Sequence, residues 1–132
     1  MKRRSSVGEL KKILYVEDQQ DIQMVAEYAL TQISRYELKL CSSGEEALAV
    51  ISEFNPDIII LEVMMPGIDG PETLTEIRKL DAYINTPAIF MTAKVLPNEI
   101  EDLMKQGVLN VISKPFDPVS LGTKVQEIWD NQ

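Results

Sequence analysis

Residues 58–70 read IIILEVMMPGIDG. Four aliphatic residues run directly into Glu62, and Pro66, Gly67 and Gly70 then break up the chain. A short, uniformly apolar run reads as a strand buried on both faces, and the proline and glycines read as a loop behind it. Glu62 therefore stands at the end of a central strand. The residues on either side repeat the theme. KKILYV (11–16) is a first strand, and after it Ile22, Val25, Ala26, Ala29, Leu30 and Ile33 recur at helical spacing. YELKLC (36–41) alternates as a half-buried strand does. Ser43 with Glu46 has the form of a capping box, opening a second helix with a core face of Ala47, Leu48, Ile51 and Phe54.

Past the loop, Pro71 fits the first turn of a third helix that carries Leu74, Ile77 and Leu80. PAIFM (87–91) is a fourth strand, and a helix follows from near Pro97 to Gly107. LNVIS (109–113) is the fifth strand. The last helix starts near Pro118 and carries Leu121, Val125, Ile128 and Trp129. Five strands alternating with five helices predict an α/β fold with a parallel sheet, right-handed crossovers and helices on both faces.

The 132 residues, 45% of them hydrophobic, suit one domain with one core. A net charge of −8 argues against general binding to nucleic acid or to an anionic membrane through the surface. There is no histidine, so no Ser-His or Cys-His catalytic pair exists within the chain, and any histidine chemistry has to come from a partner. The single cysteine, Cys41, excludes an internal disulfide and reads as a buried thiol. No apolar run approaches the roughly 18 residues that span a bilayer. MKRRSSVGEL (1–10) is basic but lacks the apolar core of a signal peptide, so it is expected to be a flexible leader on a cytoplasmic domain of residues 11–132.

The polar residues fall at the strand ends. Glu17 and Asp18 follow the first strand, Glu62 the third, Thr92 the fourth and Lys114 the fifth. In open parallel sheets ligands bind at this rim. Each residue also has a bland reading: Asp18 or Asp21 as a helix cap, Thr92 as a turn residue, Lys114 as a surface lysine. Together they are chemically complementary. Three clustered carboxylates need positive charge; Lys114 supplies one, and Mg2+ suits a few carboxylates plus water and a phosphate. No P-loop pattern is present. The set suits a phosphoryl group presented outside the strand ends.

ILYVEDQQDI, IIILEVMMPGIDG, IFMTAK and SKPFD, in that order and spacing, resemble the response-regulator receiver domain of two-component signalling, over roughly residues 11–130. The resemblance implies a flavodoxin-like (βα)5 three-layer sandwich with a parallel five-stranded sheet of order 2-1-3-4-5. It implies that the phosphohistidine of a sensor histidine kinase or phosphotransfer protein donates to an aspartate after the third strand, here position 62. It implies that Mg2+ is held by Glu17, Asp18, the side chain at 62 and the backbone carbonyl of Met64. Lys114 would pair with the acceptor and then with the phosphoryl oxygens, and Thr92 would bond the phosphoryl group. Lys114–Pro115 would be a cis peptide. An output protein or domain would read the face of helix 4, strand 5 and helix 5, and a homodimer stays open. The expected role is an interaction switch in a phosphorelay, not an enzyme.

Two residues depart from the family pattern. The acceptor position holds Glu62, one methylene longer than aspartate, and misplacement near 1 Å can cost about 10²-fold in such chemistry. Phosphorylation is therefore expected to be impaired, or replaced by a constitutive state that partly mimics it. Val111, three residues before Lys114, stands where the family carries an aromatic, and its stiff β-branched side chain cannot act as a rotating switch. The alternative is a Mg2+-dependent phosphatase of haloacid-dehalogenase type. That chemistry calls for an acidic-x-acidic pattern, whereas Asp18 is followed by Gln19 and Gln20. A flavin carrier would need a Ser/Thr/Gly-rich loop after the first strand, and this chain has none there.

Overall fold

A computed structural model describes residues 8–93 and 96–132. At its centre lies β3 (Ile58–Glu62), buried at every residue and paired on both edges. The other strands are β1 (Lys12–Val16), β2 (Glu37–Cys41), β4 (Ala88–Thr92) and β5 (Asn110–Ser113). All pairs are parallel, and the order is β2-β1-β3-β4-β5, as the resemblance implied. Five helices alternate with them: α1 (Gln20–Glu27), α2 (Gly44–Phe54), α3 (Gly70–Arg78), α4 (Pro97–Met104) and α5 (Leu121–Asp130). Among the described residues no helix is long and apolar enough to cross a membrane.

The two-residue period of the strands divides the core into two layers. Ile13, Tyr15, Ile58, Ile60, Ile89 and Met91 face α1, the segment Tyr28–Ile33 that continues it, and α5, where they meet Ala26, Ala29, Leu30, Leu121, Val125 and Trp129. Leu14, Val16, Ile59, Leu61, Ala88 and Phe90 face the opposite way, toward Ala47 and Ile51 of α2 and Leu74 and Ile77 of α3. Cys41 is buried in this second layer.

Several elements differ from their sequence pattern for local reasons. The first helix continues past Glu27 as a π-helical segment, Tyr28–Ile33. The Thr31 hydroxyl donates to the Glu27 carbonyl at 2.6 Å, a back-bond that competes with regular helix geometry. The 3.6-residue period fails there, so Ile33 is 39% exposed although the pattern places it inward. Val25 is likewise 42% exposed. The box predicted at Ser43 is half formed. Ser43 Oγ accepts from Glu46 N–H at 3.0 Å, but the Glu46 carboxylate accepts from Ser42 N–H, one residue early. The complete capping box lies at Asp69 and Glu72, at the head of α3.

α3 stops at Arg78, and Leu80 is exposed. A 3-10 turn (Asp81–Tyr83) follows, held by the Arg78 guanidinium donating to the Tyr83 and Thr86 carbonyls at 2.8 and 2.7 Å. α5 begins at Leu121 rather than Pro118. Gly122 lets it approach the π-helical segment, since a Cβ there would fall 1.7 Å from Ser34 Oγ. Residues 1–7 of the basic leader lie outside the described residues. Its last residues pack on the domain: Leu10 is buried, and the Gly8 carbonyl accepts from Trp129 Nε1–H at 3.2 Å.

Burial pushes the Cys41 thiol up to about 12 from an ordinary 9.0, with Glu46 adding to the rise. Burial likewise raises the Tyr15 hydroxyl, with Glu17 and Glu62 adding to it. Both groups hold their protons more tightly folded than unfolded, so the stability they contribute is present below their unfolded values and lost as pH rises through their folded ones. The urea midpoint should therefore fall steadily between pH 9.0 and about 12. A midpoint that is flat or rising over that window would contradict these burials.

Candidate functional site

The register brings the polar strand ends together. β3 and β4 each run one residue further than the sequence pattern, so Glu62 and Thr92 are the last residues of their strands rather than the first residues of loops. Val16 pairs with Leu61, which places Glu17 and Glu62 side by side on neighbouring strands. Ladder-like backbone bonds continue past the strand ends: Val63 N–H to the Met91 carbonyl at 2.9 Å and Lys114 N–H to the Thr92 carbonyl at 2.8 Å. The rim is thus set by backbone geometry before any side chain is considered.

Glu17 is fully buried, Glu62 is 4% exposed and Thr92 is 1% exposed. The Lys114 ammonium bridges the two glutamates. It lies 3.1 Å from Glu17 Oε1 and makes a short contact with Glu62 Oε1. The other oxygen of each carboxylate accepts from the backbone: Glu17 Oε2 from Gln19 N–H at 3.1 Å, Glu62 Oε2 from Met64 N–H at 3.2 Å. Burial draws the Lys114 ammonium down, but hydrogen bonds and charge from Glu62 and Glu17 outweigh it and hold the group above its ordinary value. Burial pushes Glu17 up; Gln19 N–H and Lys114 pull it back without cancelling the rise. The Lys114–Pro115 peptide is cis.

The predicted residues Glu17, Glu62, Thr92 and Lys114 thus share one rim. Asp18, half-buried, is one residue past Glu17. Neither Asp18 nor Asp21 caps the first helix by its side chain: the N-cap is Gln19, and the Asp21 carboxylate accepts from Ile22 N–H. Among the described residues no three His, Cys, Asp or Glu side chains are grouped so as to hold a metal ion. Glu17, Asp18 and Glu62 are oxygen donors of the kind Mg2+ takes, and the oxygens of the two glutamates accept from Lys114 and from backbone N–H groups. The Met64 N–H donates to Glu62.

Three features escaped the sequence reading. Gly70 is required by close approach, because a Cβ there would fall 2.3 Å from the Glu62 carbonyl oxygen. Its N–H closes the loop onto the Val63 carbonyl at 2.9 Å. The Tyr15 hydroxyl is buried without a hydrogen-bond partner. A cleft of about 390 Å³ opens beside Lys114, lined by Asp21, Ile22, Val25, Ala93, Pro115 and Phe116. Of these, only Gly70 carries a sequence signal, as one of the loop glycines after the central strand.

Residues 13–126 match the response regulator receiver domain family, and the chain belongs to that family. It is the receiver domain of a two-component response regulator. Over 120 residues it is 33% identical to the alkaline phosphatase synthesis transcriptional regulatory protein PhoP of Bacillus subtilis, covering 89% of this chain and 48% of that protein. It is 32% identical over 104 residues to the probable transcriptional regulator ycf29 of Porphyra purpurea, covering 79% of this chain and 49% of that one. The chain spans about half the length of these curated relatives. Among solved structures, the chemotaxis response regulator CheY4 of Vibrio cholerae superposes with a TM-score of 0.82 at 29% identity, covering 91% of this chain and 99% of that one. The family assignment leaves the haloacid-dehalogenase phosphatase reading without support.

The Gly70 contact generates a direct test of how the site is positioned. Gly70→Ala drives a methyl into the Glu62 carbonyl, which is backbone and cannot swing aside. It should destabilise the fold by about 1–3 kcal/mol. It should also shift the Glu62, Val63 and Met64 amide resonances, while a Gly8→Ala control leaves those resonances in place. A Gly70→Ala protein with unchanged stability and spectrum would refute the close approach.

Proposed function

We propose that this receiver serves a phosphorelay as a protein-interaction module whose acceptor position is a permanent, unreactive carboxylate. The observation that carries this reading is the engagement of Glu62. It is 4% exposed, one oxygen is paired with Lys114, and the other accepts from Met64 N–H. A carboxylate nucleophile must present a free lone pair in line with the incoming phosphorus. Glu62 would have to break a charge-assisted bond to do so, and its extra methylene displaces the attacking oxygen from where an aspartate's would lie.

The partners are then a sensor histidine kinase or phosphotransfer protein on the donor side and an output protein or domain on the other, all in the cytoplasm. The output surface is the α4–β5–α5 face. Val111 is half-buried and paired in register with Phe90, and it supplies no aromatic to couple the site to that face. α4 has no fully buried residue, so it is the element of this face with least to lose on moving. Of the loop before it, Lys94 and Val95 lie outside the described residues.

Incubation with acetyl phosphate in Mg2+-containing buffer, read by intact mass, tests the reading. The protein should stay unlabelled while Glu62→Asp takes up a phosphoryl group. Rapid stoichiometric labelling of the parent at Glu62 would sink the proposal.

A further inference from the structure

The basic stretch ahead of β1 plays no part at the rim. Three of the chain's 13 lysines and arginines stand together as Lys2, Arg3 and Arg4, no acid precedes Glu9, and 21 acids are set against the remaining basic residues. We infer that this leader docks on the last turn of α5, with Glu127 and Asp130 as the partners of its cations. The occupant of that surface is thus a segment of the chain itself.

The leader joins the domain at the end of α5. Leu10 is buried in the core layer that holds α5, and the Gly8 carbonyl accepts from Trp129 Nε1–H at 3.2 Å. The chain is therefore fixed against the last turn of α5 four residues after Arg4. Gly8 is exposed, with a φ of 73° that glycine adopts without strain, so the backbone turns there. An extended chain covers about 3.3 Å per residue, which gives Arg4 a reach of about 13 Å from Gly8 and Lys2 a reach of about 20 Å. A helical turn is only about 5.4 Å long. The end of α5 is within reach of all three cations.

The charge at that end calls for cations. The last turn of α5 carries Glu127 and Asp130 and no basic residue. A helix C-terminus has a partial negative charge of its own, so two carboxylates there oppose the dipole and a nearby cation relieves both. The one basic residue of α5, Lys124, stands more than a turn before Asp130. Lys11 and Arg35 also border this end of the molecule, and Glu9 and Glu37 beside them offset their charge. Asp130 is oriented by a hydrogen-bond chain: its Oδ1 accepts from Gln126 Nε2 at 3.0 Å, and Gln126 Oε1 accepts from the Tyr36 hydroxyl at 2.6 Å. A carboxylate held in one direction suits the planar fork of a guanidinium, and the leader carries two.

α5 belongs to the output face proposed above. A leader seated on its last turn stands at the edge of that face, so a partner that covers α5 displaces it. This consequence rests on the reading of the face; the docking does not, and its test needs no partner.

Trp129 is the chain's only tryptophan, and its indole N–H is the group tied to Gly8. Its NMR resonance and its exchange with water therefore report the docking in the full chain without a label. Raising the salt from about 0.02 M to about 1 M screens charges beyond about 3 Å, so in the parent it should shift the indole resonance and speed its exchange roughly two- to fivefold. A leader with Lys2→Glu, Arg3→Glu and Arg4→Glu should show the high-salt values already at low salt. Adding Glu127→Lys and Asp130→Lys to that leader should restore the parent's low-salt values, a rescue that a merely structural role of these residues would not give. A reversed leader that leaves the resonance and exchange at the parent's values would overturn the inference, as would a folded charge-swapped protein without rescue. If the charge-swapped protein does not fold, the salt titration of the parent and of the reversed leader decides alone. A shift that grows with protein concentration would place the leader on a second copy and would overturn it too.

Discussion

Two carboxylates are buried side by side at the carboxyl rim of the sheet, and one ammonium, reaching from the far edge strand, answers both. Lys114 lies 97 positions along the chain from Glu17 and 52 from Glu62. The bridge therefore exists only when β1, β3 and β5 are all in register. Glu17 and Glu62 meet because Val16 pairs with Leu61 in the middle of the sheet. Lys114 meets them because β4 carries β5 alongside, with the Lys114 N–H bonded to the Thr92 carbonyl. The order of the strands thus becomes a local electrostatic condition at one end of the molecule.

The magnitude of that condition depends on burial. Pairs such as Lys79–Glu76 and Lys105–Asp102 lie on the surface, where an ion pair is worth about 0–1 kcal/mol. Glu17, Glu62 and Lys114 are nearly withdrawn from water. Taking one partner away from such a group costs roughly 3–5 kcal/mol, because a charge is left buried without its answer. The same burial explains the opposing influences on Glu17 and Lys114. Desolvation disfavours charge on both, and each is kept in place by the other. In this structure every oxygen of the two glutamates has a donor.

Much of this was legible in the chain. The apolar run ending at Glu62, the polar residues at 17, 18, 92 and 114, and the alternation of strands and helices all follow from periodicity, and the structure gathers Glu17, Glu62, Thr92 and Lys114 on one rim. Other features depended on contacts that periodicity does not encode. Nothing in the spacing of Val25, Ala26, Ala29, Leu30 and Ile33 shows that Thr31 will bond back to Glu27 and accompany a π-helical segment. Ser43 and Glu46 match a capping box as well as Asp69 and Glu72 do, but only the second pair closes reciprocally. The division of four carboxylate oxygens between an ammonium and two backbone N–H groups is a matter of ångströms, and no spacing rule reaches it. Gly70 is legible as a loop residue, while its reason, the Glu62 carbonyl behind it, is purely spatial.

The central claim is that Lys114 and Glu62 act as one buried unit. It is tested most directly by a double-mutant cycle in chemical denaturation, with Lys114→Met, Glu62→Gln and the double variant. A buried, shared bridge predicts a coupling of about 1–3 kcal/mol, with the double variant more stable than the sum of the single losses allows. Losses that add to within about 0.5 kcal/mol would show that the two side chains are neighbours without being partners, and would contradict the account.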